Sequence, residues 1–226
     1  MTQKLQIEDI TINIEYKKIK NIHLRVCPPD GQVRISAPVR IDRAYLRDFA
    51  VSRLEWIRKQ QERVKSIRPQ PQYLSGETHY FRGKPYVLEL VEQNSKPCVS
   101  ILGNVLRLCV RPGATLEKRR SVMEEWYRTR LAEALPEIVG YWERIIGVRA
   151  SEYKIKRMKT KWGACNRKAR RIWINLELAR KSPEGLTFII VHELVHLLER
   201  GHNHVFYRYM DQFLPQWKQY KQELNK

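Results

Sequence analysis

Over most of the first 112 residues apolar positions alternate with polar ones, the period of strands whose successive side chains point to opposite faces. The stretch "NIHLRVCPPDGQVRISAP" (21–38) predicts a β-hairpin, with "PPDG" supplying the turn dihedrals. The period then lengthens. Tyr45, Leu46, Phe49, Leu54, Trp56, Ile57 and Val64 recur at roughly helical spacing among charged residues, and Asp42 can cap them. This predicts one amphipathic helix over 41–67, ended by a short linker, "RPQPQ" (68–72). Residues 74–112 alternate again, with "LGNV" as a tight turn.

After Pro112-Gly113 the pattern becomes helical through residue 147, with Pro136 expected to kink or restart the helix. "EYKIKRMKT" and "RRIWINLELA" predict two strands joined by a loop or hairpin tip, "KWGACNRKA" (161–169). Ser182 then caps a helix with Pro183 in its first turn, where a missing N–H costs nothing. A last helix is expected over "NHVFYRYMDQFLPQWKQYKQEL" (203–224). Together these elements predict an α+β fold. A β-rich N-terminal part with one long helix spans 1–112, and a part spanning 113–226 carries the chemistry.

Composition narrows the classes. With 226 residues, 42% of them apolar, the chain can bury a sizeable core, which excludes wholesale disorder. Lys and Arg number 43 against 24 Asp and Glu, a net charge of +19. That excess favours anionic partners such as nucleic acid or nucleotides. The competing explanation is solubility alone, because the charge is spread along the chain. Cys27, Cys98, Cys109 and Cys165 form no CxxC pair, which argues against a cysteine zinc site. The N-terminus does not read as a signal peptide, and the apolar runs fall short of a membrane span. The expectation is a cytoplasmic protein with free thiols and no membrane contact.

The helix opened by Ser182 is apolar on nearly every face (Phe188, Ile189, Ile190, Val191, Leu194, Val195), yet it holds His192, Glu193 and His196. Polar groups in such a setting cost free energy unless they have partners. Two His four residues apart lie on one helix face, the spacing two metal ligands need. A Glu beside the first of them can take a proton from a metal-bound water. The third ligand is expected past the helix end. Gly201 is a natural stop, and His202 follows it; His204 is the competitor. His202 is preferred, because a turn at Gly201 can fold it back. Three His with a fourth position open to water is a catalytic layout. His23 and His79 lie in strand-like stretches and are expected to be ordinary surface residues.

The stretch "KRMKTKWGACNRKARRIWINLELARKSPEGLTFIIVHELVHLLERGHNHVFYRYMDQFLPQW" (156–217) resembles the core of the YgjP-like zinc metallopeptidase family, related to WLM and SprT-type proteases. The resemblance extends to "VRISAPVRIDRAYLRDFAVSRLEWIRKQ" in the N-terminal part. It implies a zincin-like core in which His192, His196 and His202 bind Zn²⁺ and Glu193 is the general base. It also implies that the "KWGAC" turn and the next strand line the rim of the cleft, where an extended substrate can pair with the strand edge. Three positions depart from related patterns. Glu199 stands where metzincins have Gly, Gly201 where the family has Asn, and Ala164 where it tends to have Ser. Trp162 is expected to be a packing anchor and Cys165 an unreactive thiol.

The first functional expectation is therefore a metallopeptidase that cuts peptide or protein substrates. The resemblance also implies an alternative, a nucleoside triphosphate pyrophosphate hydrolase of UTP type on the same site; the net charge of +19 and the basic turn that includes Lys161, Arg167 and Lys168 favour such an anionic substrate. A DNA-associated protease is the third.

Overall fold

The structure is a computed structural model that describes residues 2–27, 30–65 and 70–224. Its chain forms two compact units, 1–70 and 71–226. The fold class is α+β, as the periodicity predicts.

In the first unit, β1 (Thr2–Ile7), β2 (Ile10–Lys17), β3 (His23–Cys27) and β4 (Gln32–Pro38) form a sheet of order β1-β2-β4-β3. The predicted 21–38 hairpin is β3 against β4, antiparallel, although Pro28 and Pro29 of its turn lie outside the described residues. β2 joins β4 in parallel. Ile10, Ile12 and Ile14 of β2 alternate with exposed Thr11, half-buried Asn13 and exposed Glu15, so one face of the sheet is buried. That face shares a core with Leu46, Ala50 and Ile57 from α1 (Arg43–Val51) and α2 (Leu54–Lys65). Asp42 caps α1 by accepting from the N–H of Ala44.

The single helix expected over 41–67 is thus two. The Ser52 hydroxyl donates to the Phe49 carbonyl (2.8 Å), and the Arg53 N–H turns to Ala50 three residues back. Such side-chain back-bonding competes with the helical ladder and breaks it there.

In the second unit, β5 (Thr78–Phe81), β6 (Lys84–Glu92), β7 (Cys98–Leu102) and β8 (Val105–Val110) form a sheet of order β5-β6-β8-β7. Leu88, Leu106, Leu108 and Val110 belong to one core with Met123, Tyr127 and Leu131 of the long helix α3 (Leu116–Ile146). Residues 74–112 therefore go with the C-terminal chemistry, and the division falls at 70/71 instead of the expected 112/113. Alternation marks those residues as strands, but it carries no information about the core they join. Helix α3 runs unbroken through Pro136, so no restart occurs there. Thr115 caps its start, and Gly147 ends it at a left-handed φ of 75°.

His79, expected at the surface, is only 4% exposed. Its ring stacks on Tyr73, and its Nε2 lies 3.0 Å from the Glu77 carboxylate. Alternation assigns His79 to one of two strand faces without saying which is inner, and its stacking on Tyr73 puts it on the buried one. His23 is exposed, as expected.

A second sheet of this unit has the order β10-β11-β9, built from β9 (Glu152–Lys156), β10 (Gly163–Asn166) and β11 (Arg171–Asn175). β10 lies inside the stretch read as a loop. It pairs antiparallel with β11, which pairs in parallel with β9. After β11 the chain does not remain extended but forms a 3₁₀ helix, Leu176–Arg180, capped by Asn175.

The central helix α4 (Pro183–Val195) packs against α3, α5 (His204–Phe213), α6 (Trp217–Leu224), β10 and β11. Neighbours on so many sides account for an apolar composition all round. Three contacts fix its position. Ser182 caps it by accepting from the Gly185 N–H. The β5–β6 turn abuts Ser182 through Gly83, whose N–H, with that of Arg82, donates to the carbonyls of Arg180 and Ala179. Leu224 of α6 packs on Gly185, where an added Cβ would lie 3.2 Å from its methyl. The last helix expected over 203–224 is divided at Leu214-Pro215-Gln216 into α5 and α6, since Pro215 cannot supply the N–H the helix would need. Among the described residues no helix is long and apolar enough to cross a membrane.

Candidate metal centre

Helix α4 presents His192 and His196 one turn apart, but it ends at His196 and not at Gly201. Gly201 adopts no left-handed φ. The chain instead turns through Leu197, Leu198 and Glu199 and returns to the start of α5. Asn203 caps α5 by accepting from the N–H groups of Val205 and Phe206. The cap holds the return in place and sets His202 over the helix.

The three imidazoles form a nearly equilateral triangle. Ring centroids are 4.8 Å apart for His192–His196, 4.9 Å for His192–His202 and 4.8 Å for His196–His202. Nε2 of His192 and Nε2 of His202 are 3.0 Å apart, and one nitrogen from each of the three rings lies within 4.8 Å of the others. His204 stands outside this group, exposed on the first turn of α5. Behind the triangle sits Phe206, fully buried, with its ring 4.7 to 4.9 Å from all three His rings. Sequence reading missed Phe206; its only local signal is its place three residues after the capping Asn203.

The electrostatics suit a cation. Burial, together with the charges of His196, His202 and Lys221, drives His192 down to about 3, so its ring is neutral. Burial also lowers His196. Nδ1 of His196 lies 3.1 Å from the Glu199 carbonyl, which can only accept, so Nδ1 carries the proton and Nε2 keeps its lone pair. Tetrahedral coordination with metal–nitrogen bonds of about 2.0–2.1 Å sets nitrogens roughly 3.3 Å apart. The 3.0 Å between the His192 and His202 nitrogens is close to that spacing, and three converging imidazoles fit a divalent metal that favours nitrogen ligands.

Glu193 is 5% exposed and belongs to the wall of the same cleft. Burial pushes its carboxyl up to about 8, against a smaller downward pull from Lys161. It rests on Gly163 of β10. A Cβ there would lie 2.5 Å from Glu193 Oε1, so no other residue leaves the carboxylate room. Asn175 secures that arrangement. Its side chain donates to the carbonyls of Met158 and Lys161 (2.9 and 2.7 Å) and accepts from the N–H of Met158, while its own N–H donates to Trp162. The chain from Met158 into β10 is thereby clamped. Arg167 ties the other end of β10 to the turn after α4, donating to the carbonyls of Leu197 and Leu198. Cys165 faces the cleft with its thiol pushed up to about 11, by burial first and by Glu193 second, so it stays protonated. Trp162 is half-buried against the core and carries Lys181 over its ring.

The triangle, Glu193 and β10 share one cleft of about 1300 Å³. The YgjP-like metallopeptidase domain matches residues 20–226. The chain belongs to this family. It is accordingly a metal-dependent hydrolase, and the family's chemistry calls for a divalent metal. Two solved structures are similar to this YgjP-like chain over part of its length. The metallopeptidase zymogen abylysin of Pyrococcus abyssi is 19% identical at a TM-score of 0.37, over 39% of this chain and 89% of its own. The zymogen jannalysin of Methanocaldococcus jannaschii is 21% identical at 0.36, over 40% and 86%. No curated protein matches the chain.

Proposed function

We propose that this protein is a zinc peptidase in which His192, His196 and His202 hold the metal and Glu193 is the general base. The observation that carries the reading is the convergence of three imidazole nitrogens beside a carboxyl group packed in the same cleft wall. When bound, the zinc supplies positive charge that polarises a water and a substrate carbonyl and favours the ionised form of a nearby carboxyl. His196 offers Nε2 because Nδ1–H is held by the Glu199 carbonyl. Glu193, kept from swinging by Gly163, takes the proton from the attacking water and returns it to the leaving amine. Burial alone leaves this carboxyl protonated at neutral pH, so it works as a base only with a cation beside it. β10, at the edge of its sheet, offers backbone groups to an extended peptide.

The test compares wild type with Glu193→Gln, His202→Ala and His204→Ala, each loaded with zinc, on unfolded protein substrates and on a panel of nucleoside triphosphates. Glu193→Gln should keep its zinc and lose about 10²-fold or more in kcat. His202→Ala should lose zinc, and His204→Ala should keep it. Zinc retained as tightly in His202→Ala as in wild type would overturn the ligand assignment. Release of pyrophosphate from one nucleotide, with no peptide cleavage and no release by Glu193→Gln, would make the site a nucleotide hydrolase instead.

A further inference from the structure

The cleft around the three His is far more basic than the chain as a whole. Its walls carry Lys161, Arg167, Lys168, Arg200 and Lys221, and among the described residues Glu193 is their only carboxylate. Five cations to one acid compares with 43 to 24 over the entire chain, so the cleft is not simply a sample of a basic surface. The pairing pattern differs as well. Just outside the cleft, Arg157 faces Glu124, Arg171 faces Glu152 and Arg180 faces Glu177. Among the described residues no carboxylate lies within ion-pair range of Lys161, Lys168 or Arg200. Like charges gathered with a single carboxyl group among them repel one another, and an arriving anion relieves that repulsion.

Placement gives the pattern a direction. Lys161 precedes β10 and Lys168 follows it, so the two cations bracket the four-residue strand that lies along the cleft. Arg200 stands on the other wall, in the turn between α4 and α5. An extended chain lying along β10 advances about 3.3 Å per residue, and its ends reach the bracketing cations within a few residues of the cleft's centre. At about 1300 Å³ the cleft exceeds the roughly 300–1,000 Å³ of ordinary small-ligand pockets, which suits an extended peptide better than a compact molecule. Trp162, Phe188, Tyr207 and Trp217 supply apolar wall between the charges.

We propose that the cleft selects peptide segments bearing Asp or Glu on both sides of the scissile bond, with Lys161 on one side and Lys168 and Arg200 on the other as the specificity-determining residues. This selection rests on the peptidase reading above.

The experiment digests a mixed-sequence peptide library with the full-length zinc-loaded protein and identifies the cut sites by mass spectrometry, with Glu193→Gln as the blank. Matched peptides with Glu, Ala or Lys at the flanking positions then give kcat/KM for wild type and for the Lys168→Glu/Arg200→Glu double variant. Zinc content and circular dichroism of the variant verify that it folds. The expected result is enrichment of acidic residues around the cut. Glu peptides should lead Ala peptides by about tenfold in wild type, a lead that shrinks as ionic strength rises from about 0.02 to 0.5 M. The double variant should lose or reverse the lead. Cleavage without acidic enrichment, or a lead unchanged in the folded double variant, overturns the specificity and leaves the peptidase reading standing. No cleavage of any peptide by zinc-loaded wild type overturns both, and nucleoside triphosphate hydrolysis in that case would show that the cations serve phosphate.

Discussion

At the scale of single residues, the proposed catalytic layout depends on a contact that local sequence cannot reveal. His192, Glu193 and His196 are legible because helical spacing alone puts them on one turn, and His202 because a turn must bring a third nitrogen back. Gly163 is thirty residues from Glu193, and nothing in "KWGAC" announces that its missing Cβ makes space for a carboxylate. Gly163→Ala therefore tests positioning apart from metal binding. The new methyl would have to displace Glu193 Oε1 from 2.5 Å, and neither strand nor helix can retreat cheaply in a packed core. Zinc content should match wild type, kcat should fall about 10²-fold, and stability should drop by about 1–3 kcal/mol. Full activity in the Gly163→Ala variant would show that the carboxylate does not work from the place where β10 holds it.

At the scale of elements, strong periodicity predicted existence well and ends poorly. Helix α4, helix α3 and the β3–β4 hairpin all follow from the pattern of apolar residues. The ends were decided by particular atoms: the Ser52 hydroxyl splitting α1 from α2, Pro215 splitting α5 from α6, and His196 closing α4 before Gly201. β10 was hidden because its four residues follow a basic run and contain a glycine, both read as loop. The β1–β2 hairpin lacked a turn signal for a related reason: its turn places Glu8, not a glycine, at a φ of 50°.

β5 supplies a pH test. Burial lowers His79 below its ordinary 6.5, although Glu77 pulls the other way. Burial pushes Glu77 up, but hydrogen bonds from Leu74, His79, Gln72 and Tyr73 outweigh it and hold the carboxyl below its ordinary 4.5. Below 6.5 the unfolded chain binds a proton at His79 that the folded chain resists, so stability falls as pH drops from 6.5 toward the folded value. Glu77 adds a further loss as pH falls below 4.5 toward its folded value, since its contribution is complete only above that point. His79→Gln should be less stable at pH about 8 yet lose less stability on going to pH about 5. Urea midpoints of both proteins across that range decide it, and parallel slopes would show that His79 carries none of the dependence.

At the scale of the whole molecule, the two cores share no residue. One runs from Leu5 to Ile57, the other from Tyr73 to Leu224, and the three His, Glu193, Gly163 and Asn175 all belong to the stretch spanned by the second. The expected boundary at 112 would have cut that second core, severing Leu88, Leu106, Leu108 and Val110 from the α3 residues Met123, Tyr127 and Leu131. Each of those side chains stabilises the fold by about 1.5–3 kcal/mol when buried, in sum comparable to the whole net stability of an ordinary domain. A fragment beginning at residue 113 should therefore fail to fold, whereas one comprising 71–226 keeps every described group that builds the metal centre and the β5–β6 turn that braces α4 at Ser182. The expected outcome is a cooperative thermal transition and one zinc per chain for 71–226, and neither for 113–226. If 71–226 unfolds without a transition and binds no zinc, the unit at 1–70 is required for the second core to form, and the division of the chain is one of packing but not of folding.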